Sequence, residues 1–175
     1  MNGNEITCQR ALSTAKLPCM AKTEAASVVL DDISKSIIEQ LQKDGRAPYA
    51  TIGKAVGLSE AAVRQRVQRM LDAGVVQVVA VSNPFHLGFN RAAMIGLKVE
   101  GSMEPVAEQI AAMPEVDYVV VTAGAFDLLC EVVCESDDQL LEILQNRIRA
   151  IPGVRSSETF VYLKLMKQTY QWGTR

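Results

Sequence analysis

The stretch TIGKAVGLSEAAVRQRVQRMLDAG, residues 51–74, carries two apolar stripes at helical spacing, separated by a short break. The first stripe is Ile52, Ala55 and Val56, and the second is Val63, Val67, Met70 and Leu71. Gly57 and Gly74 end the two helices, because glycine readily adopts the left-handed conformation that closes a helix. Ser59 caps the second helix. The stretch therefore predicts two helices joined by the turn Gly57-Leu58-Ser59, the spacing of a helix-turn-helix.

The neighbouring segments extend this pattern to a domain over residues 30–81. Upstream, Asp31 or Asp32 caps another helix that Asp44-Gly45 ends, and its apolar residues are Ile33, Ile37, Ile38 and Leu41. Downstream, residues 75–81 are a β-branched run with one polar residue inside it, which predicts a strand pair. Three helices followed by two strands make a winged helix-turn-helix.

The second half of the chain predicts a different domain. Ser82-Asn83-Pro84 and Gly88 mark residues 82–90 as a linker. Residues 91–168 alternate between strand and helix patterns in the order β-α-β-β-α-β, with the last strand over residues 154–165, which is the ferredoxin-like arrangement. The predicted fold class is α+β. Residues 1–29 are predicted to be a flexible extension and residues 169–175 a C-terminal tail.

The sheet of this second domain predicts an association between chains. Two helices cover only one face of four strands, and the other face still carries apolar residues in this sequence. An exposed apolar face of that size is typical of an interaction surface, so we expect another subunit to cover it.

Bulk properties limit the function classes. The net charge is −2, and the 12 acidic against 8 basic residues of positions 83–175 contrast with 6 against 7 at positions 31–82. No apolar run reaches the ~18 residues of a membrane span, and residues 1–29 lack a signal sequence, so we expect a cytoplasmic protein without membrane contact. The single histidine and the absence of a Cys-x-x-Cys pair argue against a metal site. Cys130 and Cys134 are predicted to be reduced core residues. No catalytic constellation or phosphate-binding loop is present, so neither an enzyme nor a cofactor is expected.

The outer face of the third helix is the first candidate site. Arginine and glutamine make bidentate hydrogen bonds to base edges, and the N-terminal part of a recognition helix reaches those edges. The predicted groove-facing residues are Ser59, Glu60, Ala61, Arg64 and Gln65, and Gln68 is included in the predicted DNA-binding set because it lies on the same side of the helix as Arg64 and Gln65. The residues predicted to contact phosphates are Arg46, Lys54, Arg66 and Arg69. The alternative is an ordinary solvated helix face.

The segment TAGAFD, residues 122–127, is the second candidate. A turn of small residues between two strands exposes backbone N–H groups for a carboxylate, and Asp127 adds an acceptor for an ammonium group, which together suit a free amino acid. The alternative is an ordinary hairpin turn with Gly124 at positive φ and Asp127 bonded to the turn backbone.

Several motifs resemble those of the Lrp/AsnC (leucine-responsive/asparagine) transcription regulators. They are Leu30-Asp31-Asp32-Ile33, Val56-Gly57-Leu58-Ser59, Ala73-Gly74-Val75-Val76, Asn83-Pro84, Gly124-Ala125-Phe126-Asp127 and Ile151-Pro152-Gly153-Val154. The resemblance covers about residues 30–167. It implies a sequence-specific regulator of double-stranded DNA, a homodimer paired through its sheets, and assembly of dimers into octamers.

The resemblance also implies a small-molecule effector, usually an amino acid, bound between subunits. The residues implied at that site are Thr122, Ala123, Gly124, Ala125, Phe126, Asp127, Phe160 and Val161. Ala125 departs from the acidic or polar residue of many members, which favours an apolar amino acid or no tight ligand. The alternative function is a nucleoid-type architectural protein that wraps DNA without a ligand.

Overall fold

The computed structural model describes residues 30–175, so the extension predicted for residues 1–29 lies outside the described part. The chain divides into two compact units. One contains the described residues up to Val79 together with Tyr170–Arg175, and the other is Ala80–Thr169. Each unit is built around its own hydrophobic core.

The first unit contains the three predicted helices: α1 (Asp32–Lys43), α2 (Tyr49–Val56) and α3 (Glu60–Asp72). Asp31 caps α1 by accepting a hydrogen bond from the Ser34 amide, and Ser59 caps α3 by accepting one from the Ala62 amide. Gly57 ends α2 in the left-handed conformation, with φ 72°. The helix-turn-helix and its three-residue turn are therefore confirmed.

The turn between α2 and α3 lies directly against Gly53. A Cβ atom on Gly53 would stand 2.5 Å from the carbonyl oxygen of Leu58, and the Leu58 amide donates to the Gly53 carbonyl oxygen at 2.9 Å. Only a residue without a side chain permits this approach. Gly53 is accordingly buried, whereas Ala55, which the periodicity assigned to the inner stripe, is exposed.

The core of this unit forms where the three helices meet. Ile37, Ile52 and Val63 are at most 1% exposed. They pack with Ile38, Val67 and Met70. This packing turns one side of α3 inward and leaves the opposite side in solvent.

The strand pair predicted for residues 75–81 is wrong for the described chain. The structure has no strand between α3 and residue 91. A strand requires a neighbouring strand for its backbone N–H and C=O groups, and this run pairs with none among the described residues. The amides of Val75 and Val76 donate instead to the Met70 carbonyl oxygen at the end of α3. Val78, Val79 and Val81 are 55%, 60% and 59% exposed, so their β-branched side chains do not pack either.

The second unit has the predicted order of elements. They are β1 (Arg91–Val99), α4 (Glu104–Ala111), β2 (Val116–Val121), β3 (Leu128–Cys134), α5 (Asp137–Glu142), which continues as a π-helical segment (Ile143–Ile148), and β4 (Val154–Val161). The strands form one sheet in the order β2-β3-β1-β4, and every neighbouring pair is antiparallel. The predicted ferredoxin-like arrangement is confirmed.

The two faces of this sheet differ, because successive strand residues point to opposite sides. Ile95, Cys130 and Val132 are fully buried against the helices, in one core with Val106 and Ile110 of α4. Met94, Glu131 and Phe160 lie in register on the other side. Neither α4 nor α5 packs on this second side, which we call the open face.

The last strand is shorter than predicted. β4 ends at Val161 rather than at residue 165, because its partner β1 begins at Arg91 and offers only the Ala92 carbonyl oxygen to the Tyr162 amide. The predicted tail over residues 169–175 packs with the first unit: Gly173 donates its amide to Gln42 Oε1 at 3.1 Å, and Thr174 Oγ1 donates to Glu39 Oε1 at 2.6 Å.

We predict that Gly53→Ala destabilises the helix-turn-helix unit by about 1–3 kcal/mol, because the added methyl forces the turn away from α2. Gly45→Ala is the matched control, since its Cβ would meet nothing closer than 3.8 Å. Urea denaturation followed by circular dichroism measures both. Equal midpoints for Gly53→Ala and wild type would show that the turn yields without cost.

Candidate DNA-binding surface and effector site

The exposed side of α3 forms an open, shallow groove. It is lined by Ala61, Arg64, Gln65, Gln68 and Arg69. These residues alternate with the buried Val63, Val67 and Met70, so the helix presents a polar surface while its other side is anchored in the core. Five of the predicted DNA-contacting side chains are thus brought together on one surface.

Arg64 is held in place at the N-terminal end of this surface. Its Nη2 donates to Glu60 Oε1 at 2.8 Å, one helical turn earlier. Its guanidinium carbon lies 5.2 Å from the ring centroid of Tyr49, the first residue of α2. A cation above an aromatic face at this distance is attracted by the ring quadrupole.

Other polar residues of α3 are also engaged. Ser59 uses its side-chain oxygen as the cap of α3, and Gln68 donates to Asp72 Oδ1 at 2.7 Å. By contrast, Arg46, Lys54 and Arg69 are exposed and form no ion pair with any described residue. These three cations are therefore available to an anionic partner.

Arg66, predicted as a phosphate contact, is held by two residues at the start of α1. Its Nη1 donates to both carboxylate oxygens of Asp31, at 2.9 and 2.7 Å, and to Ser34 Oγ at 3.0 Å. Hydrogen bonds from Ser34 and Arg66 lower the pKa of Asp31 from 3.8 to about 2, so the carboxylate is charged at neutral pH. Arg66 thus ties α3 to the start of α1, and its role as a phosphate contact stays a prediction.

The second candidate site is the turn at residues 122–127, between β2 and β3. Its ends are fixed by two hydrogen bonds: the Thr122 amide donates to the Asp127 carbonyl oxygen at 2.9 Å, and Thr122 Oγ1 donates to the Phe126 carbonyl oxygen at 2.7 Å. Gly124 does not have positive φ, contrary to the alternative weighed from the sequence. The amides of Ala123, Gly124 and Ala125 donate to no other described residue, and all three residues are exposed.

Asp127 anchors this turn to the neighbouring strand β1. Its Oδ2 accepts a hydrogen bond from the Val99 amide at 2.9 Å, and its Oδ1 lies 3.7 Å from Lys98 Nζ. The side chain is 31% exposed. The Asp127 carboxylate therefore bonds to β1 and not to its own turn, and Oδ1 keeps capacity for a further donor.

An aromatic pair borders the turn on the open face. The rings of Phe126 and Phe160 meet edge to face with centroids 6.0 Å apart. The Phe126 ring lies over Gly96, where any Cβ would come within 2.6 Å of it. Val161 is not part of this arrangement, because it pairs with Ala93 and so points to the helix side of the sheet. The resemblance implied Val161 at this site, but its side chain lies on the opposite side of the sheet from Phe160.

One carboxylate stands in the middle of the open face. The register places Tyr118, Glu131, Met94 and Phe160 in a single row across the four strands. Burial and the neighbouring Glu131 carboxylate raise the pKa of Tyr162 to about 12, so its hydroxyl stays protonated and donates to Glu131. Tyr118 and Phe160 are 50% and 44% exposed, which leaves a mainly apolar surface uncovered on this chain.

The remaining candidate features carry no further site in the described residues. Cys130 and Cys134 are buried and unbridged, as predicted, and burial raises the pKa of the Cys130 thiol to about 11. Residues 30–175 contain no group of three potential metal ligands. None of the helices in this part of the chain has the length and apolar character needed to span a bilayer.

Each of the two units matches a domain of known proteins. Residues 30–71 match the AsnC-type helix-turn-helix domain, and residues 89–175 match the C-terminal dimeric alpha+beta barrel domain of AsnC-type regulators. The chain is 37% identical over 143 residues to the HTH-type transcriptional regulator FL11 of Pyrococcus furiosus, which covers 81% of this chain and 94% of that protein. The chain belongs to the Lrp/AsnC family. Its members named here are transcription regulators, not enzymes.

Solved structures of Lrp/AsnC proteins share the fold. AsnC of Escherichia coli superposes with a TM-score of 0.70 at 26% identity, over 80% of this chain and 96% of that one. A regulator from Neisseria meningitidis, solved as an L-Met complex, superposes with a TM-score of 0.72 at 23% identity, over 81% of this chain and 95% of the other. The family predicted from the sequence motifs is confirmed.

The sequence patterns did not indicate three residues of these surfaces: Tyr49, Gly96 and Glu131. Each matters through a partner distant in sequence, namely Arg64, Phe126 and Tyr162. A glycine inside a strand is a signal for close approach, so Gly96 was detectable in principle. Tyr49 and Glu131 carry no comparable local signal.

Proposed function

We propose that this regulator binds double-stranded DNA sequence-specifically as a homodimer, and that an amino-acid effector at the turn of residues 122–127 modulates the binding. The observation that carries the DNA part is the side of α3 opposite the core. It concentrates arginine and glutamine, the residue types that read base edges, on a helix anchored by Val63, Val67 and Met70.

The contacts divide into two groups. Ala61, Arg64 and Gln65 lie toward the N-terminal end of α3, the end that reaches base edges in a helix-turn-helix. Arg46, Lys54 and Arg69 are exposed and unpaired within the described chain, which suits contacts to phosphates. Phosphate contacts fix the register of the protein on the duplex, whereas base contacts distinguish sequences.

Two observations support dimerisation: the small positive charge of the helix-turn-helix unit and the open face of the sheet. Residues 31–82 carry only 7 basic against 6 acidic residues, so a single helix-turn-helix supplies little electrostatic affinity. Two copies that pair through the open faces of their sheets bury Tyr118 and Phe160 and bring two α3 helices to one DNA site. The family description of this domain as dimeric supports that pairing. The octamer implied by the resemblance stays a prediction.

The effector part rests on complementary groups at the turn. The unpaired amides of Ala123, Gly124 and Ala125 suit a carboxylate, and Asp127 Oδ1 suits an ammonium group. Phe126 and Phe160 offer an aromatic surface to an apolar side chain. The L-Met complex of the Neisseria relative supports an apolar amino acid as the class of effector.

The DNA part is tested by fluorescence anisotropy, which measures the affinity of Arg64→Ala and Arg69→Ala for duplexes from the region upstream of the protein's own gene. Arg64→Ala should lose about 1–3 kcal/mol of discrimination at one base pair, because a bidentate base contact is removed. Arg69→Ala should weaken binding to all duplexes equally and reduce the salt dependence. Equal affinity of the wild type for unrelated sequences would instead support the architectural alternative.

The effector part is tested by thermal unfolding in the presence of each common amino acid, L-Met included. A true effector at a hundredfold excess over its dissociation constant stabilises the folded state by about 2.7 kcal/mol and raises Tm. Asp127→Asn should abolish that rise while it keeps the fold, because an amide oxygen still accepts from the Val99 amide. If no amino acid changes Tm, the effector proposal fails and the DNA proposal stands.

A further inference from the structure

Arg64 is the only exposed cation of the first unit, within the described residues, that is restrained on two sides. Glu60 binds its Nη2 at 2.8 Å from within α3, and Tyr49 of α2 lies under its guanidinium at 5.2 Å. Arg46, Lys54 and Arg69 have neither an ion pair nor a ring contact there. The restraint is therefore specific to the arginine at the N-terminal end of the recognition surface.

We propose that Tyr49 and Glu60 are positioning residues that preorganise Arg64 to read a guanine edge. This inference rests on the proposed function, because it concerns how that DNA surface selects its sequence. A long side chain that is already ordered in the unbound protein loses less conformational entropy on binding. For one such side chain the gain corresponds to about a two- to tenfold higher affinity.

The geometry leaves the reading edges of Arg64 available. Guanidinium has five N–H donors in one plane, and Glu60 occupies Nη2 alone. The Tyr49 ring approaches the guanidinium through its π-face, with the ring centroid 5.2 Å from the guanidinium carbon. Nη2 carries two hydrogens, of which Glu60 takes one, so one complete pair of N–H groups remains for O6 and N7 of guanine, the acceptors that arginine recognises bidentately.

The negative charge of Glu60 disfavours contacts between Arg64 and the phosphate backbone of DNA. Its side chain is 53% exposed beside Arg64, on the surface that meets DNA. A carboxylate at this position repels phosphates, so Arg64 reaches a base edge more favourably than a backbone oxygen. Removal of that charge should therefore lower the ratio between the affinities for specific and for unrelated DNA.

Tyr49 can be altered without removing the hydrophobic contact of α2. The residue is half-buried and packs against the core of the first unit, so its ring has a structural side and an Arg64 side. Tyr49→Leu keeps an apolar side chain but removes the aromatic face. Tyr49→Phe keeps both the face and the packing, and it serves as the conservative control.

The experiment measures binding by fluorescence anisotropy to a duplex from the protein's own upstream region, here called the operator, and to duplexes in which each of its base pairs is replaced in turn. The proteins compared are the wild type, Arg64→Ala, Tyr49→Leu, Tyr49→Phe and the double variant that combines Arg64→Ala with Tyr49→Leu. Tyr49→Leu should lose about two- to tenfold in operator affinity, and its loss of discrimination should fall on the base pair that Arg64→Ala affects. Tyr49→Phe should match the wild type. The double variant should lose no more than Arg64→Ala alone, because Tyr49 acts through Arg64.

The results that would contradict the positioning role differ from those that would contradict the proposed function. If wild type discriminates and Tyr49→Leu weakens all duplexes equally, or its loss adds fully to that of Arg64→Ala, Tyr49 has no positioning role. If the wild type itself shows no sequence preference, the proposed function fails and this inference with it. Should Tyr49→Leu not fold, Glu60→Gln decides: an unchanged ratio of operator to unrelated DNA overturns the proposal.

Discussion

The contact between the turn and Gly53 fixes the geometry on which the DNA-binding surface depends. Leu58 lies so close to α2 that no side chain fits at Gly53, and Gly57 must adopt φ 72° to start the turn. With the turn in this position, α3 buries Val63 and Val67 against α1 and α2. A helix anchored in this way has one possible outward side, and that side carries Arg64 and Gln65.

A second set of contacts fixes α3 at a distance from the turn. Arg66 joins α3 to Asp31 and Ser34, so the residue that caps α1 also holds the recognition helix. One carboxylate therefore serves a helix start and an interhelical ion pair together. Of the three arginines of α3, Arg66 is thus paired with α1, Arg64 is held by Glu60 and Tyr49, and Arg69 has no ion pair with a described residue.

The second unit supplies what a single helix-turn-helix lacks. Its sheet buries one face under α4 and α5 and leaves the other with Tyr118, Met94 and Phe160 uncovered. The occupant that we propose for this face is a second copy, which also doubles the number of α3 helices. Glu131 lies in the middle of this face with the Tyr162 hydroxyl as its donor, so the charge is already hydrogen-bonded before any partner arrives.

The sequence predicted the elements whose signals are local. Ser59, Gly57 and the stripe of Val63, Val67 and Met70 located α2, the turn and α3, and the β-α-β-β-α-β order followed from alternating periodicities. Prediction failed where the structure depends on a partner elsewhere in the chain. Residues 75–81 have strand composition but meet no strand, and β4 stops where β1 begins.

The candidate sites show the same division. The face of α3 and the turn at residues 122–127 were located from spacing and motif. The roles of Arg66, Val161 and Tyr49 were not, because an ion pair to Asp31, the register of Val161 with Ala93 and a ring contact across two helices are tertiary facts.

The central claim is that two copies of α3, joined through the open faces, bind one DNA site. Hydroxyl-radical footprinting on the operator, combined with sedimentation of the protein–DNA complex, tests it most directly. Our account predicts at least two chains per operator and two protected half-sites about one helical turn, roughly 10 base pairs, apart. One chain per operator with a single protected half-site would contradict it.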